Sequence, residues 1–327
     1  MKESLRQICS EFLRARDVLK DAMGWENAYV YPIAATVLVG HADVDAARIR
    51  ECRTLLERET GMFHTFRGIT RLVTVATVAA DAHPEERLAR ALELFDLFKK
   101  RFWDSTYLPI AALMLSESVE PARYADLVSR TRAIYDRMKA EHPFLTSSED
   151  SAFAAMLALS EERDADVICE IERCYTHLKS QFASANAVQS LSHVLALTKG
   201  DAEAKCSATM ELFHALKAQG KRYGTAYELP TLGVLATLSD AREEIVKDLS
   251  DADDLLSSSR GYGGLFGFSA RPRLMHAGML VVLDRKEQGA EMRSAALGSM
   301  VSTVAAQQAA MLAAVAAATA ANAANSN

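Results

Sequence analysis

Glycine and proline are scarce in this chain, at 15 and 7 of 327 residues. Strand-rich and α/β folds need more punctuation than that, so the shortage predicts helices joined by short loops. Aromatic residues reach only 7%. The five cysteines (Cys9, Cys52, Cys169, Cys174, Cys206) form no C-x-x-C pair and no zinc spacing, which argues against a metal site. Their odd number and scatter predict reduced thiols in a cytoplasmic protein. No lysine- or arginine-rich run occurs and the formal net charge is −6, so the electrostatic footprint of a nucleic-acid binder is missing. Missing too are G-x-S-x-G, H-x-x-x-H, H-E-x-x-H and D-D-x-x-D, so no cofactor or metal is expected. The opening "MKESLRQICSEFLRARDVLK" carries charges throughout and reads as an amphipathic helix, not a signal peptide. The one long uncharged run, "AAQQAAMLAAVAAATAANAANSN", is alanine, barely hydrophobic, and broken by Gln307, Gln308, Thr319 and Asn322. No membrane span is expected there; an Ala-rich helix fraying into a tail over 288–327 is.

What is present is a repeat. "AYVYPIAATVLVG" (28–40), "FRGITRLVTVATVAA" (66–80), "STYLPIAALMLS" (105–116), "SSEDSAFAAMLALS" (147–160), "NAVQSLSHVLALTKG" (186–200), "AYELPTLGVLATLSD" (226–240) and "ARPRLMHAGMLVVLD" (270–284) are short apolar runs. Each has a small residue near its middle: Ala35, Thr74, Ala112, Ala154, Ser192, Gly233 and Gly278. Charged, amphipathic segments separate them, such as "ARYADLVSRTRAIYDRMKAEH" (122–142), whose Tyr124, Leu127, Val128, Ile134, Tyr135 and Met138 follow helical spacing. A helix apolar nearly all round must be covered on every side, whereas one with a single apolar stripe has a wet face. The expected fold is therefore all-α: about seven hairpins in an α/α superhelix or closed toroid, apolar helices inside and amphipathic ones outside. Residues 1–287 are expected to form a single repeat domain.

If every hairpin runs the same way, the inner-helix N-termini gather on one rim, each with a partial positive charge. Polar residues unusual for buried helices fall at or just inside that rim. They are Arg67 and Arg71; Glu149 and Asp150; Gln189, Ser190 and His193; Glu228; and Arg271, Arg273 and His276. Buried, they must bond one another, water or a ligand. His193 and His276 are the side chains expected to titrate near neutrality. Plainer readings stand beside these. Thr146-x-x-Glu149 and Ser147-x-x-Asp150 fit a capping box, a buried histidine is commonly a satisfied core residue, and the acidic "DLSDADDLL" (248–256) reads as the solvated face of an outer helix.

The strings "HPFLTSSEDSAFAAMLALS", "NAVQSLSHVLAL", "KCSATMELFHALKAQGKRYGTAYELPTLGVLATL" and "RLMHAGMLV" are similar, in order and spacing, to a bacterial family known as domain of unknown function 4003. The similarity runs from about residue 5 to 285. It implies an all-helical, cytoplasmic bacterial protein and transfers no catalytic residue. Two functions remain open: binding of a small anionic or polar ligand, or of a peptide, at the rim; or an enzyme with Glu149, Asp150 or Glu228 as acid–base groups in a toroid cavity, assisted by His193 or His276.

Overall fold

A computed structural model describes residues 1–24, 26, 28–102, 107–238, 240–263 and 267–290. The Ala-rich run from residue 291 onward, and with it the expected tail, lies outside the described residues. Among the described residues there are fourteen α-helices and no strand. Seven are amphipathic: α1 (Glu3–Met23), α3 (Ala46–Glu59), α5 (Pro84–Lys99), α7 (Tyr124–Glu141), α9 (Asp164–Leu178), α11 (Ala202–Ala218) and α13 (Arg242–Ser258). Seven apolar ones alternate with them: α2 (Val30–Val37), α4 (Arg71–Ala80), α6 (Leu108–Ser118), α8 (Asp150–Leu157), α10 (Ala185–Ala196), α12 (Leu229–Ala236) and α14 (Ala270–Ala290).

Burial follows the composition. Every residue of α8 is buried, as are Leu108 through Ser116 of α6 and Leu229 through Leu235 of α12. In α3 only Ile49, Cys52, Leu55 and Leu56 are buried, one stripe at helical spacing. The starts of several helices are fixed locally. Asp45 accepts the N–H of Arg48, Ser184 that of Ala187 and Asp201 that of Ala204, while proline opens α5.

The chain divides into two compact units. In residues 11–164, α2 packs on α4, α4 on α6 and α6 on α8, with α3, α5 and α7 laid against α4, α6 and α8. In the other unit, which among the described residues holds 1–10 and those between 165 and 290, α10 packs on α12 and α12 on α14, with α11 and α13 against α12 and α14. Small residues set these approaches. A Cβ added at Gly233 of α12 would come within 2.5 Å of a Leu191 methyl on α10. One added at Gly278 of α14 would stand 3.0 Å from Leu235 and 3.2 Å from Thr231.

A repeated device holds the far ends of the apolar helices. In the 11–164 unit, Arg14 reaches the carbonyls of His41 and Val44, Arg48 that of Asp81, and Arg90 that of Val119. Arg130 reaches the carbonyls of Ala158 (3.0 Å), Ser160 and Glu162, and pairs with Asp164 at 2.8 Å. These carbonyls belong to the C-caps of α4, α6 and α8 or to the loops just after the apolar helices. Helix ends leave carbonyls unbonded and carry a partial negative charge, so a cation answers both needs. Lys205 does the same at the end of α10, bonding the carbonyls of Leu195 and Thr198 at 2.8 Å each. Arg130→Ala, which strips three carbonyls at once, should lower stability by about 2–3 kcal/mol in urea unfolding. Arg58→Ala, which loses only an exposed pair with Glu59, should lose less than about 1 kcal/mol.

The stretch at 248–256 departs from its expected role. Asp248 and Asp253 are buried, not solvated. Asp248 pairs with Arg285 at 2.5 Å, and Asp253 with Arg273 at 2.6 Å and Lys221 at 2.8 Å. Cations from elsewhere in the same unit turn this face of α13 inward.

Candidate functional site

Helix α12 begins after a turn in which a glycine lies close against a carboxylate. Glu228, directly before Leu229, is buried, and its Oε2 accepts the N–H of Ala226 at 3.1 Å. A Cβ at Gly224 would lie 2.0–2.3 Å from the Glu228 carboxyl group, so a side chain there would push that carboxylate aside. Tyr223 lies buried beside this carboxylate and Thr231. Burial first, and then the Glu228 charge, hold the phenol well above its usual pKa. Among the described residues neither the Tyr223 nor the Thr231 hydroxyl completes a well-formed hydrogen bond. Gly278 brings α14 to within 3.5 Å of the Tyr223 hydroxyl, measured from an added Cβ. Glu228, Tyr223 and Thr231 thus form a buried polar corner where the start of α12 meets α14.

On α14, His276 Nδ1 meets the Tyr262 hydroxyl at 3.0 Å, and the rings of Tyr262 and Phe268 stand edge-on to the imidazole. Burial drives His276 down to about 3, so it is neutral at physiological pH. The expectation that it titrates near neutrality is corrected: aromatic rings surround it. Arg273 is occupied by Asp253, and Arg271 is exposed. On α10, Gln189 and His193 are both buried, four residues apart and so on one face.

In the 11–164 unit, Arg71 at the start of α4 pairs with Glu26 through Nε (2.9 Å) and Nη2 (2.5 Å). Arg67 lies in a 3-10 turn, Thr65–Arg67, rather than in the apolar helix, because the chain turns at Gly68 before α4 begins. Its guanidinium approaches the Thr60 carbonyl at 3.5 Å. The "TSSED" segment keeps half of its expected capping box. Asp150 accepts the Ser147 N–H at 2.7 Å, while the Thr146 hydroxyl bonds back to the Met138 carbonyl. Asp150 is buried, which pushes its carboxyl up to about 7 against the pull of the Ser147 hydrogen bonds and the Lys139 charge. Glu149 is half-buried and raised for the same first reason.

Arg71 finds Glu26, Arg273 finds Asp253, His276 finds Tyr262, and Asp150 and Glu228 find nearby backbone. Sequence reasoning missed Tyr223, Thr231, Tyr262 and Asp253. The signal for Tyr223 was present, an aromatic beside a glycine just ahead of an apolar helix, in "KRYGTAYELP". Among the described residues no three His, Cys, Asp or Glu side chains come together as a metal nest, and no helix is long and apolar enough to cross a membrane.

Alternating amphipathic and apolar helices, with no strand among the described residues, define an all-α protein. The chain belongs to the family described as "Protein of unknown function (DUF4003)", whose profile matches residues 17–310. It is similar to "Uncharacterized protein YeaA" of Bacillus subtilis (strain 168), with 23% identity over 301 residues that cover 89% of this chain and 88% of that protein. No solved structure gives a significant match.

Proposed function

We propose that the protein binds a small polar molecule at the buried corner of Tyr223, Glu228 and Thr231. The observation that carries this reading is the pair of hydroxyls, buried beside a carboxylate, which touch each other but meet no well-formed hydrogen-bond partner among the described residues. Buried polar atoms are nearly always satisfied, and a ligand or bound water supplies what the chain does not. The Glu228 charge selects against an anion here and favours a ligand presenting a hydrogen-bond donor. Residues 1–287 acting as one repeat domain, a toroidal arrangement of the hairpins and a cytoplasmic location belong to the same proposal. The pairs of Lys2 with Glu244 and Asp248, 3.2 and 3.4 Å, tie the chain's first residues to α13. One cooperative thermal transition is expected of a single domain; two separate transitions would remove that part.

The test is a thermal-shift screen against metabolites, where a ligand at one hundred times its dissociation constant adds about 2.7 kcal/mol. Tyr223→Phe and Thr231→Val should leave the unliganded melting temperature unchanged or higher, because each deletes an unsatisfied hydroxyl. Both should abolish the ligand's shift. A drop in the unliganded melting temperature, or a shift that survives both changes, refutes the corner as the site.

A second reading, an acid–base enzyme, has one observation in its favour. Burial places the Asp150 carboxyl near pH 7, where a general acid or base works best.

A further inference from the structure

We propose that Cys174 and Cys206 are a modification site, a buried dithiol that a small hydroperoxide converts into a disulfide joining α9 to α11. Cys206 Sγ lies 3.8 Å from the Cys174 carbonyl oxygen, and the two residues are 3% and 0% exposed. The two side chains neighbour each other between α9 and α11, and a disulfide between them requires the sulfurs to turn toward one another. Lys205, next to Cys206, pairs with Glu170 of α9 at 2.6 Å and fixes the two helices against each other at this point.

The two sulfurs are unequal. The hydrogen bond from Cys174, aided by the Lys205 charge, lowers the Cys206 pKa despite burial. The same contact and burial raise Cys174. One thiol is thus poised to react first and the other to resolve the product. The Cys206 thiolate attacks a peroxide oxygen; the O–O bond breaks, leaving sulfenic acid on Cys206 and releasing hydroxide. The Cys174 sulfur then attacks Cys206 Sγ, the S–O bond breaks, and the sulfenic hydroxyl leaves with the Cys174 proton as water. The hydroxide of the first step takes up the proton that Cys206 released on ionising and becomes a second water. Two electrons pass from the thiols to the peroxide. Burial admits hydrogen peroxide more readily than a bulky disulfide. Cys9 and Cys52 contrast with this pair: burial is the first cause raising both, Cys9 up to about 12. Cys169 is exposed and competes for oxidant.

The experiment treats the full-length Cys169→Ser protein with hydrogen peroxide and maps unreduced peptides by mass spectrometry. The expected product has lost two hydrogen atoms, contains one cross-linked peptide joining Cys174 to Cys206, and reverts with dithiothreitol. Cys174→Ser in that background should halt at a Cys206 sulfenic acid trapped by dimedone. Cys206→Ser should leave Cys174 a thiol. Recovery of both cysteines as thiols after native treatment, with the link appearing only in denaturant, overturns the proposal. Should either serine variant fail to fold, the peptide map of the Cys169→Ser protein decides alone.

Discussion

Replacing Arg285 with methionine should lower the free energy of unfolding by about 3–5 kcal/mol or more, a large share of a typical domain's total. The guanidinium binds three carboxylates at once: Asp248 at 2.5 Å, Asp240 at 2.7 Å and Asp284 at 2.8 Å. The Asp248 and Asp284 side chains are 2% and 1% exposed, so neither is solvated by bulk water if its cation is removed. Methionine preserves much of the apolar stem's packing and deletes only the charge and its donors. Lys2, 3.4 Å from Asp248, is partly exposed and offsets little of the loss. Urea unfolding of Arg285→Met, of Asp248→Asn and of the double variant forms a cycle. The double variant should recover part of the loss, because neutralising Asp248 relieves repulsion among the remaining acids. A loss below about 1 kcal/mol would mean that water reaches the cluster and that the pairs behave like surface ones.

That cluster also marks where sequence reading ran out. Helices were legible because a stripe at helical spacing and an apolar run with a small middle residue are local patterns. The apolar runs at 226–240 and 147–160 became α12 and α8, trimmed at ends where polar residues turn the chain. Partners were not legible. Asp248 looks like any solvated acid until Arg285, 37 positions later, is placed against it. His276 looks titratable until Tyr262 and Phe268 enclose it. Arg14, Arg48, Arg90 and Arg130 resemble the other arginines of amphipathic helices. Only the structure shows that each sits over the carbonyls after the next apolar helix. Of the nominated site, the sequence identified buried polar residues correctly in Asp150, Gln189, His193, Glu228 and His276. It did not reveal that most bond to groups outside the nominated set, since burial is a local property of an apolar helix and pairing is not.

Asp150→Asn should make the protein more stable at pH 8 than the parent chain, by up to about 4 kcal/mol, and equally or slightly less stable at pH 4. Burial raises the Asp150 carboxyl from 3.8 to about 7 in the folded protein. Between those values the folded state holds a proton that the unfolded state has released. The stabilising contribution is therefore complete below about pH 4 and is lost as pH rises through 7. Above 7 the parent must keep a carboxylate where water cannot solvate it, with Glu149 adding repulsion and Lys139 offsetting some of it. Asparagine carries no charge, yet its amide oxygen still accepts the Ser147 N–H that starts α8. Melting temperatures from pH 4 to 8 check this: the parent's should fall across the range relative to the variant's, and the curves should cross or meet near the acid end. A variant less stable than the parent at pH 8 would mean that the carboxylate is well solvated or paired, and would take away the one observation favouring acid–base chemistry. The expected result has the opposite weight. A side chain that costs stability at neutral pH, where its uncharged isostere does not, is what the acid–base reading requires.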